Sequence, residues 1–204
     1  SLSEARRLRV RATADHYRIT VNMSRVGKLL IANPAFPQES PFAKGVIYIH
    51  EEHTNVGTIG LMLNKPAGTV SKLCNENGII FPDMQSKMHS GGPVNPSALL
   101  LLHTDDWESS NTISIGTGLR ISSDSNMFDK MSTGNEPLYW RAFFGMCAWR
   151  PGQLDKELEG NHPYVKNMWL MATPTEDVIF NYDGEDQWIK SVDLCSQQTI
   201  DHFF

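Results

Sequence analysis

Between Lys28 and Leu63 the chain holds three short apolar runs, Lys28 to Ala32, Val46 to Ile49 and Ile59 to Leu63, each bounded by glycine, proline or polar residues. Runs of four or five such residues read as buried strands rather than helices. Residues 50 to 58 are all that separates the second from the third, whereas a parallel crossover needs about a dozen or more. The spacing therefore predicts antiparallel pairing. The first two runs are joined through Pro34, Pro37 and Pro41, which no helix interior or central strand tolerates, so that segment is a shaped loop. The third run ends at Asn64-Lys65-Pro66, where proline withdraws a ladder donor and turns the chain out of the sheet.

Further along, Val70 to Glu76 reads as a short helix started by Thr69 or Ser71 and stopped near Gly78. Ala98 to His103, Thr112 to Ile115 and the aromatic-rich Tyr139 to Trp149 read as strands. Ser122 to Met131 reads as a helix with Ser122 and Ser123 as caps and Asp124 in its first turn. Pro151, the Leu154/Leu158 pair and Gly160 describe another short helix. Trp169 to Ala172, Val178 to Phe180 and the Trp188 region close the chain. Strands and short helices mix without a βαβ rhythm, which predicts an α+β fold rather than a doubly wound sheet.

Charge divides the 204 residues in two. Residues 1–26 hold six arginines against Glu4 and Asp15, a balance of +4, so with a total of −5 the remainder carries −9. The division predicts a basic arm over 1–26 and a domain over 27–204. The acidic body repels phosphate backbones, so any nucleic-acid contact is expected through the arm alone, at Arg6, Arg7, Arg9 and Arg11. The longest aliphatic run, Ala98 to Leu102, falls far short of a membrane span, which needs about 20 apolar residues, and no apolar signal-peptide core opens the chain. Cys74, Cys147 and Cys195 are widely spaced with no CxxC, so neither a disulfide framework nor a cysteine metal site is expected. Together these predict a cytoplasmic protein without membrane contact.

Several local patterns could carry chemistry. His50-Glu51-Glu52-His53 has metal-ligating side chains, but on a strand i and i+3 point to opposite faces, so a polar strand end is the expectation. In Ser90-Gly91-Gly92-Pro93-Val94 consecutive glycines could turn amides toward an anion, although the lysine of a phosphate-binding P-loop is missing. Cys147 lies in an apolar stretch and reads as an inert buried thiol, and His103 reads as a satisfied strand-end histidine. No GxSxG elbow is present.

Taken in order, Gly27 to Pro34, Phe42 through Val46-Ile47-Tyr48-Ile49 to His53, Gly60 to Pro66, Gly91 to Val94 with Leu102-His103, and Trp149-Arg150-Pro151-Gly152-Gln153-Leu154-Asp155-Lys156-Glu157-Leu158 resemble the YqgE/AlgH family over about residues 27–190. Trp169-Leu170 and Ile179-Phe180 fit its C-terminal part. The chain departs from it in Cys147-Ala148-Trp149, where the family has a small residue, glycine and tryptophan, and in the added arm. The resemblance implies a single compact α+β domain of bent, mostly antiparallel sheets with a few short helices, in a family described as uncharacterised or as a candidate transcriptional regulator. It brings no established catalytic residues, no metal and no cofactor. At matching positions Asn64, Lys65, Gly91, Gly92, Trp149 and Gln153 could converge on a small polar, anion-accepting pocket with an aromatic wall. The expectation is a non-enzymatic binding or regulatory protein that works through protein partners, with or without a small anionic ligand. The alternatives are a nucleic-acid-binding regulator using the arm, an assembly module or homo-oligomer, and an uncharacterised hydrolase.

Overall fold

The computed structural model describes residues 24–160, 163 and 168–203. The first two apolar runs form β1 (Leu29–Ala32) and β2 (Val46–His53), and the third forms β3 (Gly57–Met62). They pair antiparallel as expected, Leu30 opposite Ile47 and Tyr48 opposite Leu61. After them come β4 (Pro66–Thr69), α1 (Val70–Glu76), β5 (Lys87–Ser90), β6 (Val94–Thr104), β7 (Thr112–Ser114), β8 (Leu119–Ser122) and α2 (Met127–Ser132). The chain closes with β9 (Trp140–Trp149), α3 (Gln153–Glu159), β10 (Trp169–Ala172), α4 (Glu176–Phe180) and α5 (Gly184–Phe203). The fold is α+β, a curled and mostly antiparallel sheet with the strand order β10-β1-β2-β3-β9-β6-β8-β7. The short β4–β5 pair joins it through a parallel contact between β5 and β9.

β1 to β3 are buried on both faces, which is why they read as unbroken apolar runs rather than as alternating ones. On one face Leu29, Ile31, Tyr48, Leu61 and Leu63 meet Leu102, Ile121 and Phe143 from the other end of the strand order, with α5 packed alongside. That shared cluster is the physical expression of the curl. On the opposite face Leu30, Ala32, Ile47 and Ile49 meet Phe36, Trp149, Leu154 and Trp169. A third cluster seats α1 and α2 against Met88, Leu101 and Ala142.

β9 is the strand both halves share. It pairs with β3 through Gly60 and Cys147, with β6 through Leu101 and Ala142, and with β5 through His89 and Phe143. At the crossing, a Cβ on Gly91 would collide with the Gly145 carbonyl, and one on Gly92 with the Met146 backbone. Gly145 itself has φ +68°, a conformation that glycine adopts without a steric penalty. The Gly-Gly pattern is therefore a backbone crossing, and the Gly91 N–H donates to the Phe144 carbonyl.

The structure redraws several boundaries. α1 starts as expected, its Lys72 N–H donating to the Thr69 hydroxyl. α2 begins at Met127 rather than Ser122, because the Asp124 carboxylate accepts from Ser109 Oγ and the amides of Asn111 and Asn126, closing a turn instead of a helix. The tail around Trp188 is a 20-residue helix. No helix among the described residues is long and apolar enough to cross a membrane.

Candidate functional site

The proline loop between β1 and β2, the end of β9, α3 and the start of β10 enclose a cavity of about 230 Å³. Gly152, with φ +72°, turns the chain from β9 into α3. The Gln153 side chain accepts from the Arg150 N–H, tying the turn down. Gln153 and Glu157 are four residues apart and share one helix face, and Gln153 Nε2 donates to Glu157 Oε1 at 3.0 Å. The other carboxylate oxygen accepts two indole N–H groups, from Trp149 at 3.1 Å and Trp169 at 3.0 Å. Around Trp169 stand Phe36 at 5.1 Å, Phe42 at 6.1 Å and Trp149 at 6.5 Å between ring centroids, all edge-to-face. Four aromatic rings and one triply hydrogen-bonded carboxylate thus line one small cavity, and no cation is among its described lining residues.

A wider cleft, about 670 Å³, opens between β5, β9 and the turn joining α4 to α5. In it His89 Nε2 shares Asp183 Oδ1 at 3.2 Å, and Lys87 Nζ donates to Asp183 Oδ2 at 2.8 Å. Burial pushes the Asp183 carboxyl up, but hydrogen bonds from His89 and Lys87 and the attraction of His89 outweigh it, leaving Asp183 well below the ordinary carboxylate range. His89 is held below its ordinary value by burial, with the charge of Arg141 adding to the shift. Arg141 is buried and donates to the carbonyls of Leu63, Phe180 and Tyr182 and to Gln187 Oε1. These groups hold the C-terminal helices onto the sheet.

The six residues expected to converge occupy three places. Trp149 and Gln153 line the aromatic cavity. Gly91 and Gly92 lie against the β9 backbone. Asn64 accepts from the Val46 N–H and donates to the carbonyls of Lys44 and Gly184, while Lys65 donates to the Ala43 carbonyl. Arg6, Arg7, Arg9 and Arg11 lie outside the described residues. Arg25, which closes the arm, is bound to Glu52 and Asp155.

The remaining patterns resolve into structure. His50 is buried with both ring nitrogens unpartnered, while His53 is exposed beside Glu51. His103 donates from Nδ1 to the Thr104 carbonyl and accepts at Nε2 from Ser122 Oγ. Burial raises the Cys147 thiol to about 12, so it stays protonated and unreactive. Phe36, Phe42, Glu157 and Trp169 are not expected from the sequence as a set. The available signal was the i,i+4 step from Gln153 to Glu157; the rings meet only through the topology.

Residues 29–199 match the model of a family described as DUF179, AlgH-like. A UPF0301 protein of Methylococcus capsulatus is 31% identical over 165 residues, covering 79% of this chain and 86% of that protein. A UPF0301 protein of Aliivibrio salmonicida is 30% identical, covering 81% and 88%. Among solved structures, the AlgH protein of Pseudomonas aeruginosa superposes with a TM-score of 0.68 at 23% identity, over 85% of this chain and 89% of that one. A protein of Corynebacterium diphtheriae gives 0.64 at 22% identity, over 83% and 86%. At these identities the two structures speak to the fold.

Proposed function

The chain belongs to the AlgH-like family, and from that membership and the geometry above we propose that it is a non-catalytic binding protein whose ligand site is the aromatic cavity. One observation carries this reading: a carboxylate, Glu157, is fixed by Trp149 and Trp169 in the wall of a cavity whose other described lining is apolar but for Gln153. Glu157 is half-buried and is the acceptor that two buried indole N–H groups need, so the contact that completes the packing also holds a carboxylate against the cavity. A recessed apolar space with one oriented polar group is the usual form of a small-ligand site. Lys65, the cation of the expected anion pocket, donates to the Ala43 carbonyl instead, so the cavity itself gives an anion no counter-charge among its described residues. Regulation through protein partners remains part of the proposal, with ligand occupancy as what such partners would sense.

The test is native mass spectrometry of the full chain purified from lysate, paired with a fragment screen read by the indole N–H resonances. Phe42 is half-buried and lines the cavity beside Trp169, 6.1 Å away between ring centroids, so Phe42→Ala removes one wall of the site while leaving the fully buried residues in place. A retained mass or fragment response that is lost or weakened in Phe42→Ala is expected. A chain that carries no adduct and answers no fragment, or responses that Phe42→Ala leaves unchanged, would overturn the proposal.

A further inference from the structure

We infer that the aromatic cavity takes an alkylated ammonium group, a trimethylammonium head on a small molecule; this rests on the cavity being a ligand site at all. Size comes first. At about 230 Å³ the space lies below the usual range for drug-sized ligands and suits a compact head with few heavy atoms.

Charge comes second. Phe36, Phe42, Trp149 and Trp169 surround the space, Glu157 supplies a negative charge, and no cation stands among the described lining residues. Ring faces are electron-rich and attract cations, most strongly where water is excluded. The indole N–H groups of both tryptophans donate to the same Glu157 oxygen, which draws electron density into the rings and makes them better cation acceptors.

Hydrogen-bonding capacity comes third and selects among cations. Glu157 already accepts three N–H groups, two on Oε2 and one on Oε1. A primary ammonium carries three donors that must be satisfied once its water is lost, and this wall has few free acceptors for them. A quaternary ammonium has no N–H to satisfy and offers methyl groups to the rings. The cavity is thus matched to a soft, fully alkylated cation rather than to a free amine, and its small enclosed volume favours a free small molecule over a side chain on a large partner.

The experiment titrates the full chain with choline, with its neutral isostere 3,3-dimethyl-1-butanol, with ethanolamine, and with a peptide bearing trimethyl-lysine, following tryptophan fluorescence and the two indole N–H resonances. Choline is expected to bind at least about tenfold more tightly than the neutral isostere and than ethanolamine. Glu157→Gln keeps an acceptor for the indoles but removes the charge, and is expected to abolish most of that preference. Phe42→Ala, which removes one of the four rings, is expected to weaken binding of choline about tenfold and of every other probe that binds, with the melting temperature showing that the variant is folded. If the isostere binds as well as choline and Phe42→Ala weakens both, the ligand class is wrong and the cavity stands. If ethanolamine matches choline, the preference for full alkylation is wrong. Binding by the trimethyl-lysine peptide without choline would overturn the small-molecule source. A chain that answers none of the probes overturns the inference, and the fragment screen then decides separately whether the cavity binds anything.

Discussion

Arg141 is 6% exposed, and its hydrogen bonds go to neutral acceptors, three carbonyls and the Gln187 amide oxygen. Burial lowers its affinity for a proton to a pKa of about 10, still far above neutrality, so the guanidinium keeps its charge. Arg141→Leu strands four acceptors at once and is expected to cost about 3–5 kcal/mol in urea unfolding, with Arg141→Lys recovering part because lysine lacks the planar fork. His50 behaves oppositely. Burial lowers its pKa from 6.5 to about 4, and neither ring nitrogen has a partner. Between those values the unfolded chain binds a proton that the folded chain refuses, so stability is full above pH 6.5 and falls as the pH drops toward 4. The shift corresponds to roughly 3 kcal/mol. His89 and His103 are displaced in the same direction and steepen the fall. His50→Leu is expected to hold or raise stability at pH 7, since it removes two unsatisfied groups, and to flatten the pH profile between 6.5 and 4.5. An unchanged slope would take His50 out of the account.

At the scale of elements, α5 is fastened unevenly. Near its start Gln187 is fully buried and donates to the carbonyls of Val178 and Ile179, and the Trp188 indole donates to the Ala32 carbonyl. Farther along, Gln198 clamps the edge of β10, accepting from the Thr173 N–H and donating to its carbonyl. Beyond it Ile200 and Phe203 are exposed. Removing residues 199–204 is therefore expected to change stability by less than about 0.5 kcal/mol, whereas Gln187→Ala costs about 2 kcal/mol; thermal melts of the two variants separate these outcomes. This helix was legible and went unread. Asp183 stands before it, Glu185 and Asp186 fill its first turn, and Trp188, Val192 and Cys195 repeat at helical spacing. The core strands were read correctly because burial on both faces leaves an unbroken apolar run. β5 is not legible, since Lys87-Met88-His89-Ser90 buries an adjacent middle pair and so shows neither alternation nor an apolar run. α2 was started too early because the same serine and aspartate residues that cap helices also close turns, and Asp124 is held by Ser109 and Asn111, well away in sequence.

For the whole molecule, charge separates the arm from the body. Residues 27–204 carry −9, so a chain starting at residue 23 is expected to pass a heparin or DNA column at 150 mM salt; its retention would reveal a basic patch on the body. The site was half legible for a related reason. Trp149 and Gln153 lie within one continuous block, whereas Phe36, Phe42 and Trp169 reach the cavity from distant parts of the chain. Asn64 and Lys65 looked like ligand groups because a strand-end amide or cation that bonds backbone has the same sequence appearance as one that bonds substrate. The pairing of β1 with β10, Leu29 opposite Ala172, has a consequence for how the protein is made. The apolar strands that leave the ribosome first keep one edge open until the last quarter of the chain follows. At about 5–20 residues per second that wait lasts roughly seven to thirty seconds. A nascent chain stalled short of Trp169 would present an unpaired hydrophobic edge, so holding chaperones are expected to crosslink to the Leu29–Ala32 segment and to release it once the C-terminal helix has emerged.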